Sequence, residues 1–144
     1  MSSSDRVYDV RQDVGTIKAS QRTTRETDGG LALLNGLLCY SDEWFRAIEV
    51  GDLPSITLDG VITRVFMSGH NDYPEFELES NGERTRWTRA VSGSYVGNGD
   101  HLFEVGRRVR LKYVEHPWKP GQAASRILGT YAKLVVYIEI LPAI

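Results

Sequence analysis

Asn81-Gly82 limits what this chain can fold into more than any other pair of residues. Both residue types tolerate a positive φ, and Asn-Gly is the favoured centre of a two-residue type I′ turn, whose twist matches that of the strands it joins. It sits between EFELES and ERTRWT. So short a loop leaves one register: Ser80 opposite Glu83, Glu79 opposite Arg84, Leu78 opposite Thr85, Glu77 opposite Arg86 and Phe76 opposite Trp87. Strand side chains alternate between faces, so Phe76, Leu78, Thr85 and Trp87 are expected to point together into a core. Glu77 and Glu79 meet Arg86 and Arg84 on the other face as cross-strand pairs, each worth on the order of 0.2–1 kcal/mol.

Period-two patterning extends to both sides of this hairpin. From Ile56 apolar residues alternate, and a change of parity at Gly60 places Val61, Val65 and Met67 inward with Thr63 between them, as a bulge or sharp bend would. The opposite face of that strand carries Ile62, Arg64 and Phe66. It is more apolar than a water-facing surface requires, so either the N-terminal helical segment packs on it or Arg64 and Phe66 form a partner-binding flank. Arg89 interrupts the alternation after Trp87, which predicts a bulge or a place at a barrel mouth. Residues 92–102 form a glycine-rich connection. The strand over residues 105–114 puts Val109, Leu111 and Tyr113 inward and Arg108, Arg110 and Lys112 outward. Residues 115–131 read as a long loop around Pro117, Pro120 and Gly121. The last strand, residues 134–141, lines up Leu134, Val136, Ile138 and Ile140 on one face.

The N-terminal part is less patterned. Residues 1–30 are expected to form a polar, partly disordered arm, with only a weak strand hint at Tyr8, Val10 and Val14. Residues 31–55 are expected to be a helical segment packing on the barrel. Ser41 followed by Asp42 and Glu43 reads as an N-cap with acids in the first turn, Trp44, Phe45 and Ile48 form an apolar face, and Gly51 and Pro54 stop the helix. Short apolar runs do not separate helix from buried strand by period, so residues 31–39 fit either; helix is favoured. The third division, residues 56–144, is the β domain.

Several function classes lack their parts. At 144 residues with 41% hydrophobic content, the chain suffices for one domain with its own core, without disulfide or metal staples. Its longest apolar run, LALLNGLLCY, is too short to span a bilayer. The N-terminus has no basic start leading into an apolar stretch, and the single cysteine, Cys39, lies within an apolar run; both fit a cytoplasmic protein. The glycines of GSYVGNGDH are not followed by Lys-Ser/Thr, and no Gly-x-Ser-x-Gly elbow is present. His70, His101 and His116 are scattered without paired ligand spacing, and Asp72 and Asp100 are ordinary neighbours of two of them. No catalytic residue, metal or cofactor is expected.

In order, GVITRVFM, PEFELESNGERTRW, VGRRVRLKYV and LVVYIEI give a long bent strand, a tight hairpin, a strand after an irregular connection, and a closing strand after a long loop. This succession resembles the oligonucleotide/oligosaccharide-binding fold, a five-stranded, partly open Greek-key barrel, over residues 56–141. The fold class expected is therefore mainly β, a small partly open barrel of that kind with an N-terminal helical segment. The resemblance implies ligand contact on the middle strands and flanking loops. Here those middle strands present Glu75, Glu77, Glu79, Arg84 and Arg86 and no aromatic platform, which moves the candidates elsewhere: Tyr73 in the first loop, Trp118, Lys119, Arg126 and Tyr131 in the long one, and the basic face of Arg108, Arg110 and Lys112. Trp118 and Tyr131 either display their rings or plug the barrel end. The net charge is −2, yet the portion from His101 onward carries +4. The function expected is a noncatalytic binding module for single-stranded nucleic acid. The alternative is a protein–protein interaction or assembly module, using Arg64 and Phe66, an open strand edge or self-association.

Overall fold

A computed structural model describes residues 5–70, 73–90, 99–119 and 131–142. Strand β1 (Asp5–Asp9) runs through a 3-10 turn (Val10–Gln12) into helix α1 (Val14–Glu26), and an irregular stretch leads to helix α2 (Asp42–Glu49). Strands β2 (Ile56–Ser68), β3 (Tyr73–Ser80), β4 (Glu83–Thr88), β5 (Arg108–Pro117) and β6 (Tyr131–Ile140) follow, with a second 3-10 turn at Gly99–Leu102. They make one antiparallel sheet in the order β1-β6-β5-β2-β3-β4.

The hairpin takes the register dictated by its turn. Asn81 and Gly82 have φ of 52° and 81°, and all five predicted pairs, from Ser80 with Glu83 to Phe76 with Trp87, are in place. Phe76, Leu78 and Trp87 are buried and Thr85 half-buried, with Trp87 Nε1 donating to Thr85 Oγ1 at 2.7 Å. One pairing on the outer face differs. Arg84 reaches both Glu79 (3.2 Å) and Glu77 (3.8 Å), while the Arg86 guanidinium lies 5.2 Å from the ring centre of Phe66.

Strand β2 is long enough to serve two neighbours. Residues 56–61 pair with β5 and residues 61–68 with β3, so the strand bends between them. The parity change expected at Gly60 occurs two residues later. Ile62 is fully buried whereas Val61 is 40% and Met67 43% exposed. Pairing with β5 is unbroken through Val61, so Ile56, Leu58, Gly60 and Ile62 keep one face; the register slips only between Ile62 and Arg64, after which Val65 turns inward. Gly60 has a different task. A Cβ there would lie 2.4 Å from the Glu79 carbonyl oxygen, so glycine allows β3 to come this close.

The sheet curls around one core that includes Ile62, Phe76, Leu78, Val109, Leu111, Val114, Ile138 and Ile140. It does not close. Residues of β4 and β6 face each other across a cleft of about 470 Å³ lined by Trp87, Lys133, Tyr8 and Tyr40, without pairing. At fold level this mainly β, partly open small barrel agrees with the oligonucleotide/oligosaccharide-binding resemblance, with β1 as an added sixth strand.

The N-terminal portion departs most from expectation. Within the stretch read as an arm, Val7, Tyr8 and Val10 are buried, β1 pairs with β6, and α1 forms without burying any residue fully. Polar contacts anchor that helix. Asp13 caps it by accepting from the Thr16 amide, Gln21 Nε2 donates to the Cys39 carbonyl at 3.0 Å, and Lys119 Nζ donates to the Thr24 and Thr27 carbonyls at 2.5 and 2.6 Å. Only Ile17 leans on the core from its face. Residues 31–39 are neither helix nor named strand. Leu31 bridges Trp118, and Leu34 bridges Leu37 around Asn35 and Gly36, whose φ of 52° and 77° make a tight turn that breaks helical hydrogen bonding. Helix α2 forms as expected: Ser41 accepts from the Trp44 amide at 3.2 Å, and Trp44 and Ile48 are buried. Among the described residues no helix is long and apolar enough to cross a membrane.

Candidate partner-binding surface

Among the described residues, those expected to hold nucleic acid are not gathered into one groove. Strand β5 runs on to Pro117, so His116 is no loop residue but fully buried, with its ring centre 6.3 Å from that of Trp44. Trp118 is half-buried, bridges Leu31, and lines a cleft of about 330 Å³ with the α1 residues Ala19 and Thr23. Lys119 spends its donors on the α1 C-terminal carbonyls, where a cation also offsets the negative end of the helix dipole. Tyr73 and Tyr131 are exposed at the starts of β3 and β6. Arg126 lies outside the described residues.

Two of the three bases on the outer face of β5, Arg108 and Arg110, are paired with acids within the sheet. Asp59 on β2 accepts from Arg110 at 3.4 Å and sits 3.7 Å from Arg108; Glu139 on β6 sits 3.7 Å from Arg110 and 2.9 Å from Arg6. These contacts follow from register, since Asp59 and Glu139 both lie directly opposite Arg110 on the strands flanking β5. Lys112 lies between Thr57 and Tyr137 in the same rows. On the β2–β3 side, Arg64 is stacked over the half-buried ring of Phe66 at 4.4 Å, with Arg86 also over that ring. The structure thus joins Arg64 and Phe66 in one cluster with Arg86.

A face for which no site was expected lies around α2. Asp42 and Glu43 in its first turn and Asp52 just beyond it are exposed and make no ion pair with any described residue; Glu49 pairs with Arg11. Trp44 and Ile48 anchor the helix from below, Trp44 edge-on to Tyr40 at 5.2 Å. Between α2 and the turn at Asn35-Gly36 runs an apolar cleft of about 370 Å³, walled by Leu37, Ala47, Val50 and Leu53 and edged by Glu43 and Asp52. Val50 is 61% exposed and Leu33, on the neighbouring stretch, 52%. A signal for this face exists in the chain: residues 26–59 hold seven acids against Arg46 alone, net −6. Summed over the first hundred residues, that block is indistinguishable from its surroundings.

No group of side chains suited to a metal ion occurs among the described residues. His70 and His101 are exposed, while burial lowers the His116 pKa to about 4, opposed by the Pro117 backbone, so its imidazole is neutral at physiological pH. Neither His116 ring nitrogen has a hydrogen-bond partner among the described residues. Burial raises the Cys39 thiol, which keeps it protonated and unreactive.

No curated protein matches the chain. The sequence pattern of a protein family described as immunity protein RhsI2 matches residues 4–140. Immunity proteins act on a protein, so the match overturns the nucleic-acid reading and supports its alternative, a protein-interaction module. The dispersed aromatics and internally paired bases agree with that correction. Since the match runs from before β1 to the last residue of β6, the chain belongs to the RhsI2 immunity protein family.

Proposed function

We propose that this protein neutralises a toxin protein by binding it directly, without catalysing a reaction. The observation that carries this reading is the family match over residues 4–140. The physical setting supports it: a single curled sheet with one core gives a rigid scaffold, and a rigid scaffold binds without a large ordering cost. Neutralisation takes place in the cytoplasm in this reading, where the lone buried Cys39 stays reduced.

The test is co-expression with the cognate toxin domain. Growth is restored, the two chains co-purify as a complex, and in vitro protection tracks the molar ratio, ending near equivalence. Protection by a small fraction of an equivalent would point to catalysis instead, and failure to form a complex would defeat the reading.

A further inference from the structure

We infer that the cleft beside α2 is the toxin-docking surface, and that it takes a basic segment of the toxin presenting an aliphatic side chain flanked by lysine or arginine. This rests on the toxin-neutralising reading. Three observations converge on the same few residues. The first is charge segregation: residues 26–59 carry net −6 in a chain whose total is −2, so the rest of the molecule is net positive.

The second is that three of the seven acids in this block are not used internally, whereas Glu26 and Glu49 pair with Arg22 and Arg11. Asp59, Glu77, Glu79 and Glu139 each lie within 4 Å of an arginine, whereas Asp42, Glu43 and Asp52 have no such partner among the described residues. Two acids in the first turn of α2 also stabilise that helix through its dipole, but Asp52 lies beyond the C-terminal end, where a carboxylate faces the negative pole. Helix stability therefore does not account for it. Like charges set close together raise each other's energy, and an opposite charge arriving from a partner relieves that.

The third is shape. The cleft walled by Leu37, Ala47, Val50 and Leu53 is apolar and lies between the acids Glu43 and Asp52. An apolar recess within a charged rim has the anatomy of an interface centre, in which a buried anchor supplies most of the affinity and the rim supplies orientation and speed of association. The aliphatic anchor fits the apolar walls, and the basic flanks fit the rim. Arg46, the lone base here, lines the same cleft and limits how many cations the partner can bring to it.

The experiment measures association of the purified chain with the cognate toxin domain, the one that co-expression of this chain neutralises, by surface plasmon resonance at low and high salt. For the Glu43→Lys/Asp52→Lys double variant, affinity falls by about a hundredfold, with a slower on-rate and a weaker salt dependence than the wild type shows. Val50→Ser, which opens the apolar wall, speeds dissociation by about tenfold. The milder Glu43→Gln/Asp52→Asn pair, at exposed positions, separates charge from any folding defect and still loses salt dependence. Wild-type binding that all three variants retain unchanged overturns the docking assignment while leaving toxin neutralisation intact. Absence of wild-type binding overturns both. Sedimentation of the chain alone completes the test: a dimer that the α2 variants dissociate would make a second copy the occupant and overturn the proposal.

Discussion

The outer face of β5 and the exposed face of α2 are both strongly charged, and they use charge in opposite ways. On β5, Arg108 and Arg110 sit in register with Asp59 and Glu139, so four residues and Arg6 form a continuous lattice of opposite charges. On α2, Asp42, Glu43 and Asp52 stand without such partners among the described residues, Glu43 and Asp52 at the edge of an apolar cleft. A count of basic residues makes β5 the more attractive binding face. Geometry reverses that ranking, because a charge already paired offers an incoming partner little net attraction and must first be released from its neighbour.

The largest effect expected from dividing the two faces is at Trp44. Its buried indole seats α2 on the barrel, so Trp44→Ala costs about 3–5 kcal/mol of stability, read by urea unfolding. A loss below about 1 kcal/mol, the range of surface changes, would mean that the α2 face is not held by this anchor.

Acidification is next and acts on the same side through His116, which lies against Trp44. The folded protein holds this imidazole neutral, with a pKa of about 4 against an ordinary value of 6.5. Below pH 6.5 the unfolded chain therefore takes up a proton that the native state does not, and stability falls until the pH reaches about 4, by on the order of 3 kcal/mol from this group. Above pH 6.5 the contribution is constant. Denaturant titrations at pH 7 and pH 4.5 should show a smaller difference for His116→Leu than for the wild type; equal differences would remove His116 as the source.

Lys119→Met tests the polar anchorage of α1. Losing two hydrogen bonds and the cation at the helix C-terminus costs about 1 kcal/mol, and amide exchange near Thr24 and Thr27 accelerates ahead of the sheet. The smallest effect belongs to the paired face. Asp59→Asn unpairs Arg108 and Arg110 on an exposed surface and changes stability by less than about 1 kcal/mol. It leaves toxin affinity unchanged, and a marked loss of affinity there would show that the sheet face, rather than α2, meets the partner.

What could be read from residues alone was what short-range physics decides. Asn81-Gly82 admits one turn and hence one register, and Ser41-Asp42-Glu43 starts a helix where its cap bonds require it. Alternation in β5 and β6 separated Val109, Leu111, Ile138 and Ile140 from the outer face, since successive side chains of an unbroken strand segment point to opposite faces. Tertiary contact decided the rest. The parity break in β2 followed its two pairing partners rather than its glycine. The polar run to Gly30 became a strand and a helix because β6 offered an edge and because Cys39 and Lys119 supplied hydrogen bonds from far along the chain. Whether a given charge is spent or available also depended on what lies across the sheet from it. Composition determined only that acids cluster in residues 26–59; the fold decided that three of them stay unpaired, two of these, Glu43 and Asp52, edging an apolar recess, because among the described residues no strand carrying a base is brought opposite them.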